Sequence, residues 1–433
     1  MPKLILDLSI IILIVFVAIV FWKTLVSKSL PLYSFLFIFT VGSLVFVAPQ
    51  IKIVYSTVPV AILSPTIAYI ALCYVMFYFG CMIKIEVPPL NNPIRSIFKK
   101  DSLALYAIGF ILISTIGFIK LTNSETSANS QWSGKDVMYN FFFTAYRYAL
   151  IFASVGYFKT RKRIYLVLIL ISSLFFVDRI LISGRRTDLV YYAIAIGVPY
   201  LYYTQVRPKL ILLCTLLVLS FQLLSLLVAV RTVTLEGSGF GSFLSGNRLP
   251  SIEAVMLAKQ KIEIKDKGRA PELTACCYGI NAVINSGNFD YGGGYWNAVV
   301  QDFLPSQLVG AEFKQSLKFA PIKLDLLGYR VFTGSTMTGF FDSFQAFGYV
   351  GCIFFFIMGY FMTMVCRKAF QGDTFCMIFY LCIIVDALHA VTHRSSLFLS
   401  GMIYFCIYIF IMHFFINIMK TNRYLSTFID KEL

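Results

Sequence analysis

The chain has 433 residues, of which 58% are hydrophobic and only 13% are charged. Soluble domains carry about 25% charged residues, and a soluble protein of this length has no core that could bury so much apolar surface. The composition therefore excludes an ordinary soluble protein. The net charge of +16 would suggest a nucleic-acid partner in a soluble chain. In a membrane protein, however, cytoplasmic loops collect Lys and Arg, so we expect no nucleic acid here.

Apolar runs of the length that crosses a bilayer recur along the sequence. A helix of about 20 residues spans the roughly 30 Å of hydrocarbon, and it satisfies its own backbone hydrogen bonds in lipid. We therefore predict an all-α polytopic membrane protein with about eleven transmembrane helices. The predicted spans are 4–22, 30–48, 58–82, 103–120, 138–158, 164–182, 188–204, 208–230, 337–365, 374–392 and 396–419.

The basic loops predict the orientation of these spans. Lys159, Arg161, Lys162 and Arg163 form the densest basic cluster, which the positive-inside rule assigns to the cytoplasm. Counting spans outward from this loop places the N-terminus in the periplasm and the C-terminus in the cytoplasm. The first apolar run lacks a small-residue cleavage site, so we interpret it as a retained span.

The spans divide the chain into three regions. Residues 1–230 form a predicted eight-helix transmembrane region, and residues 337–433 form three further helices and a cytoplasmic tail. Between them, residues 231–336 contain no spanning run and form a large predicted periplasmic loop with amphipathic segments. Within that loop, the periodicity of 251–264 predicts a helix lying along the membrane surface.

Several arginines lie at the outer ends of the predicted spans, where the positive-inside rule disfavours them. A charged residue at membrane depth is costly, so its presence there suggests a function. The planar guanidinium group of arginine suits bidentate binding of phosphate. The alternative is that individual arginines extend to the interface without a ligand. The candidate phosphate-binding residues are Arg185, Arg186, Arg231, Arg248 and Arg394.

Candidate proton acceptors lie on the same predicted face. A transfer to a hydroxyl group needs a carboxylate or an imidazole to accept its proton. The candidates are Glu253, Asp342 and His393, and His393 adjoins Arg394. Glu253 could equally be a solvated helix start. For Asp188 we favour a helix N-cap or an ion pair with Arg185 or Arg186.

Two further clusters leave alternatives open. Asp386, His389 and His393 fall on one helix face, which suits a metal site, a proton relay or a polar packing surface. No fourth ligand is identifiable, so we predict no metal. In the predicted loop, Trp296 and its neighbouring tyrosines, Tyr291 and Tyr295, could stack on sugar rings or pack within the loop.

Five motifs follow one another over roughly the C-terminal 60% of the chain. They are SGRRTDLVYYA (183–193), NRLPSIEAV (247–255), FLPSQL (303–308), TGSTMTGFFDSFQAFGYVGCIFFFIMG (333–359) and HRSSLFLSGMIYF (393–405). This order resembles the oligosaccharide repeat-unit polymerases, or Wzy-type O-antigen polymerases, including the enterobacterial common antigen branch. The N-terminal five spans match that family only in hydropathy.

The resemblance implies a glycosyltransferase of the bacterial inner membrane that needs no metal or cofactor. Its substrate would be an undecaprenyl-diphosphate-linked oligosaccharide, which the five arginines would hold at the periplasmic face. Products of the family include O-antigen and related polysaccharides of lipopolysaccharide biosynthesis. The alternatives are a flippase or transporter of the same lipid-linked sugar, and an O-antigen ligase. The sequence leaves open whether a chain-length regulator binds as a partner.

Overall fold

Helices make up all the regular structure that the described residues contain. The computed structural model describes residues 1–83, 102–122, 135–182, 185–206, 251–266, 270–304, 306–322, 324–326, 328–331 and 336–432, and scattered positions between 209 and 233. Eight helical segments within these ranges are long and apolar enough to cross a membrane. A polytopic α-helical membrane protein is therefore confirmed.

The helices are numbered here in chain order. They are α1 (Pro2–Phe21), α2 (Phe35–Thr57), α3 (Val60–Met82), α4 (Ser102–Thr122), α5 (Lys135–Phe143), α6 (Tyr146–Thr160), α7 (Arg163–Val177), α8 (Arg186–Thr204), α9 (Ile252–Asp266), α10 (Pro271–Ser286), α11 (Gly293–Phe303), α12 (Ser306–Val309), α13 (Ala311–Ser316), α14 (Gly339–Phe347), α15 (Ile353–Phe370), α16 (Thr374–Thr392) and α17 (Ser396–Glu432). The predicted spans 164–182 and 188–204 correspond to α7 with its following π-turn and to α8. The predicted span 208–230 lies largely outside the described residues.

Polar contacts tie the helix ends together at one end of the bundle. The Lys159 ammonium donates to Thr374 Oγ1, and Tyr202 OH donates to the Phe370 carbonyl at 3.3 Å. Arg367 donates to the Ile83 carbonyl at 2.8 Å. These contacts define the basic end of the bundle. They join four loops that are far apart in sequence, and one of these loops carries the predicted cytoplasmic cluster with Lys159.

Helices α3 and α15 pack closely against each other. A Cβ atom added at Gly80 would lie 2.2 Å from the Phe356 carbonyl oxygen, and one added at Gly359 would lie 2.6 Å from the Phe77 carbonyl oxygen. Small residues at such contacts let helix backbones approach closely, which is a major source of association in lipid. Glycine is therefore required at both positions.

The predicted span 337–365 is broken in the structure. α14 ends at Phe347, a 3₁₀ turn follows over Gly348–Cys352, and α15 begins at Ile353. Gly348 has a φ of +58°, a backbone conformation that residues other than glycine rarely adopt. Hydropathy could not predict this break, because the residues on both sides are apolar.

Part of the segment 231–336 is packed into the bundle. α10 lies against α2, α3 and α14, and its buried residues include Cys276 and Cys277. Helix α9 forms where a surface helix was predicted, but Ile252, Met256 and Leu257 are all exposed while Val255 is buried. Its described apolar residues therefore form no single stripe.

We expect Gly80→Ala to lower the unfolding temperature of the detergent-solubilised protein by several degrees, because the new methyl group would overlap the α15 backbone. Gly197→Ala in α8 is the matched control, since a Cβ there has nothing within 4 Å. Replacing glycine by alanine within a helix stabilises by up to about 1 kcal/mol, so the control should be neutral or slightly stabilising. Equal unfolding temperatures for the two variants would contradict the packing argument.

Candidate active site

Five helix ends converge at the end of the bundle opposite the basic end, which is called the site end below. Thr187 of α8 contacts His389 of α16, with Oγ1 and Nε2 3.3 Å apart. The Ser395 amide, between α16 and α17, donates to Asp342 of α14 at 3.1 Å. Tyr295 of α11 lies 2.8 Å from Ser395, hydroxyl to hydroxyl. Three of the five sequence motifs, 183–193, 333–359 and 393–405, therefore have residues at one end of the bundle.

An ion pair between α6 and α8 lies at the centre of the site end. Arg147 donates to Asp188 Oδ1 from Nε at 2.9 Å and from Nη2 at 2.6 Å, and Asp188 is fully buried. Tyr146 OH donates to the same oxygen at 2.7 Å. The guanidinium also lies 4.3 Å from the ring centroid of Tyr191, a cation–π distance. The prediction that Asp188 pairs with Arg185 or Arg186 was wrong.

Two more arginines lie beside this pair. Arg179 belongs to a π-helical turn, Asp178–Ile182, that ends α7, and such turns are frequent at functional sites. The Arg179 guanidinium donates to Asn140 at 3.0 Å and lies 4.3 Å from the Phe143 ring centroid. Its Nε atom is buried without a hydrogen-bond partner among the described residues. Arg147, Arg179 and Arg185 are called the arginine cluster below.

The arginine cluster carries more positive than negative charge. Burial and the neighbouring Arg179 charge lower the pKa of Arg185 to about 10, and Asp188 opposes this shift only partly. Desolvation by burial is the larger cause of the lowered Arg185 pKa, and the like charge of Arg179 adds to it. Two carboxylates lie nearby, Asp178 in the π-helical turn and Asp188 in α8. They face three guanidinium groups, so the positive charges outnumber the negative charges. The cluster is therefore suited to an additional anion.

The turn between α16 and α17, residues 393–395, is called the outer turn. Its His393 and Arg394 are exposed, and Arg394 Nη2 lies 3.9 Å from Asp302 Oδ2 of α11. Partial desolvation and the charges of Arg186 and Arg394 hold the pKa of His393 below its usual range. His393 is therefore neutral near pH 7 and able to accept a proton.

Asp342 lies in the first turn of α14, half-buried beneath the outer turn. Its Oδ2 atom accepts the Ser395 amide proton. A Cβ at neighbouring Gly339 would lie 1.6 Å from the Ala390 carbonyl oxygen, so α14 and the outer turn meet backbone to backbone. The Asp342 carboxylate thus supports the turn that presents His393 and Arg394.

The three residues considered as metal ligands do not meet at one point. Asp386 accepts a short hydrogen bond from Tyr191 OH, and His389 faces Thr187. The rings of His389 and His393 lie 5.0 Å apart, centroid to centroid. Within the described part of the chain, no group of His, Cys, Asp or Glu side chains is arranged to hold a metal ion.

Of the remaining predicted site residues that the structure describes, Arg186 lies near the outer turn and Glu253 does not. Glu253 is exposed in the first turn of α9, with no described contact to the arginine cluster. Arg186 is exposed at the start of α8, near enough to His393 to affect its pKa. Arg231 and Arg248 lie outside the described residues.

Sequence reasoning did not select Arg147 or Arg179 as site residues. Arg147 lies within the predicted span 138–158, and an ionisable residue inside an apolar run is itself a signal of function. Arg179 lies close to the end of the predicted span 164–182. Both signals were available, but the partner of each arginine depends on how the helices pack.

Comparison with known proteins adds no relative. No protein-family description, no curated protein and no solved structure matches this chain. The arguments about function therefore come from the residues and their arrangement.

We expect Asp188→Leu to destabilise the protein by about 3–5 kcal/mol, because it leaves the Arg147 charge buried without its partner. The double variant Arg147→Met/Asp188→Leu should recover much of that loss. Thermal unfolding of both variants in the same detergent measures the difference. Additive losses from Arg147→Met and Asp188→Leu would show that the two side chains are not coupled.

Proposed function

We propose that this protein joins undecaprenyl-diphosphate-linked oligosaccharide repeats into a surface polysaccharide such as O-antigen. The observation that carries the proposal is the excess of guanidinium charge in the arginine cluster beside the outer turn. A lipid diphosphate supplies the missing negative charge, and its tail can remain in lipid while its head group reaches the end of the bundle. Arginine forks bind such phosphates bidentately.

In the proposed reaction, a hydroxyl group of the acceptor repeat attacks the anomeric carbon of the donor glycan. A new carbon–oxygen bond forms, and the bond from that carbon to the diphosphate oxygen breaks. The lipid diphosphate leaves with the bonding electrons, and the arginines stabilise the negative charge that develops. The hydroxyl proton passes to a base. This electrostatic role needs no metal.

Among the three candidate bases, the geometry favours His393. It is exposed, adjoins Arg394 and is neutral near pH 7, whereas Asp342 already accepts the Ser395 amide proton. Glu253 is exposed on α9, with no described contact to the outer turn. We therefore assign proton acceptance to His393 and a supporting role to Asp342.

The proposal includes a location and a topology. The basic end would face the cytoplasm of a bacterium, in accord with the positive-inside rule, and the site end would face the periplasm. About eleven spans and one large periplasmic segment, 231–336, would result, with the N-terminus periplasmic and the C-terminus cytoplasmic. Part of that segment, α10, would then lie at membrane depth, where irregular backbone is tolerated if protein surrounds it.

A first test is a gel of the surface glycan from a deletion strain that carries either the wild-type gene or Arg185→Ala at equal protein level. We expect the deletion to leave glycan with a single repeat, and Arg185→Ala to fail to restore the ladder. The matched control is Arg163→Ala, an exposed arginine at the start of α7, which should restore it.

Other outcomes of this gel point to other functions. If deletion removes even the single-repeat form, the flippase or ligase alternative replaces the polymerase. If Arg185→Ala restores the full ladder, the arginine cluster does not hold the substrate. Arg185→Gln should keep or raise the unfolding temperature, because the pKa of Arg185 shows that its surroundings disfavour the charge. Lost activity in a stable variant would thus separate function from folding.

A second test uses the pH dependence of polymerisation by the purified protein. Because the pKa of His393 is lowered, its neutral form persists below the usual value of about 6.5. Activity should therefore fall only at more acidic pH. Arg394→Gln removes a neighbouring positive charge, so the pKa of His393 should rise and the acid limb should move to higher pH. An acid limb that does not move in Arg394→Gln would rule out His393 as the base.

A further inference from the structure

An open cleft lies at the N-terminal end of α11. Its volume is about 540 Å³, within the range of about 300–1,000 Å³ that is usual for small-molecule sites. The residues that line it are Asp290, Tyr291, Gly292, Gly293, Trp296 and Phe319.

The three aromatic side chains of the cleft are unusually exposed. The exposed fraction is 77% for Tyr291, 46% for Trp296 and 61% for Phe319. Large apolar rings are normally buried, so an exposed group of them on a rigid frame indicates a binding surface.

The frame that carries these rings is held by specific hydrogen bonds. Trp296 Nε1 donates to the Leu317 carbonyl at 2.7 Å. The Asn297 side chain donates to the Phe319 carbonyl and accepts the Phe319 amide proton, both at 2.9 Å. Two rings of the cleft are therefore fixed before any ligand arrives, which reduces the entropic cost of binding.

The third ring belongs to Tyr291, whose backbone conformation is strained. Tyr291 has a φ of +49°, a left-handed region that costs a residue other than glycine about 1–3 kcal/mol. Its amide donates to the Ala346 carbonyl at 3.2 Å, and the Asp290 carboxylate accepts the Gly292 and Gly294 amide protons. The hydrogen bonds of this turn therefore hold Tyr291 in its strained conformation, with its side chain exposed.

A pyranose ring suits this surface. Its C–H groups can lie against the electron-rich faces of aromatic rings, and its hydroxyl groups remain accessible to water in an open cleft. The Asp290 oxygens each have a further lone pair that can accept a sugar hydroxyl. The glycines allow close approach, because Gly293 presents no side chain between α11 and Phe319.

The cleft is joined to the candidate active site through α11. Successive residues of a helix are about 100° apart around its axis, so Tyr295 and Trp296 point in different directions. Tyr295 reaches Ser395 of the outer turn, and Asp302, seven residues further, approaches Arg394. One helix therefore carries both the contacts to the outer turn and the aromatic floor of the cleft.

We propose that the cleft of Tyr291, Trp296 and Phe319 binds a sugar unit of the glycan chain while its reacting end occupies the candidate active site. This inference rests on the proposed function for the identity of the glycan. It adds a second contact that retains the polymer between additions, so that several repeats can be joined before release.

The competing occupant is the membrane surface, because aromatic residues also gather at lipid interfaces. Phe313 of α13 provides a local control. It is 54% exposed and lies in the same part of the chain, but it does not line the cleft. A membrane anchor would depend on Phe313 as well as on the cleft, whereas a sugar site would not.

The direct test is a binding titration that needs no turnover. The sequence contains three tryptophans, so Trp22→Phe/Trp132→Phe leaves Trp296 as the only one. In lipid nanodiscs, this protein should show a saturable change of fluorescence when lipid-free polysaccharide from wild-type cells is added. Gly293→Leu fills the cleft and should weaken binding at least tenfold, while Phe313→Ala should leave it unchanged.

The outcomes of the titration separate the two occupants. Absence of a saturable change overturns the proposal, and quenching of Trp296 by brominated lipids would then identify the membrane as the occupant. Equal weakening by Phe313→Ala and Gly293→Leu also overturns it.

Product length provides a second readout. Trp296→Ala should shift the glycan ladder towards short chains, whereas Trp22→Ala, an exposed tryptophan that follows α1, should not. An unshifted ladder in Trp296→Ala overturns the role in retention. Failure of the polymerase proposal is seen separately, in the Arg185→Ala gel, because glycan binding at Trp296 is measured without the reaction.

Discussion

The ion pair between Arg147 and Asp188 determines how the site end is assembled. Both residues belong to helices surrounded by apolar side chains, and an unpaired charge there would cost several kcal/mol. Helices α6 and α8 must therefore rotate until guanidinium and carboxylate face each other. That rotation also places Tyr191 against the guanidinium, and Thr187 against His389 of α16.

The other residues of the site are arranged around this ion pair. Arg179 and Arg185 lie beside it, and the two nearby carboxylates, Asp178 and the Asp188 that Arg147 already engages, cannot neutralise all three guanidinium groups. The next layer is the outer turn, which Asp342 holds from below and Tyr295 holds from the side. Fixed cations next to a neutral imidazole form an arrangement that can bind a diphosphate and accept a proton.

Hydropathy predicted the helices well, because the length of an apolar run is itself the physical requirement for crossing a bilayer. It could not predict the interruption at Gly348, because the hydropathy of an apolar segment is the same whether or not its helix is interrupted. Nor could it predict that α10 is buried, since Pro271–Ser286 mixes polar and apolar residues and its burial depends on α3 and α14.

The candidate site was predictable in part. The positive-inside rule singled out arginines at the predicted outer ends of the spans, and the structure describes three of these five, Arg185, Arg186 and Arg394, all at the site end. The rule cannot reveal which charges neutralise each other. Asp188 was assigned to its neighbours in sequence, but its partner is 41 residues away on another helix, and only tertiary packing selects it.

That separation has a consequence for how the protein is made. Arg147 lies in the 24-residue segment Val137–Thr160, and it is synthesised well before Asp188. Until α8 follows, Arg147 lacks the Asp188 counterion. It lies near the middle of that segment, although at the start of α6, and an arginine in the middle of a span costs roughly 2.5–3.5 kcal/mol on insertion. The segment containing α6 therefore gains by waiting at the translocon until α8 arrives, so that the three helices α6, α7 and α8 enter the lipid as one unit.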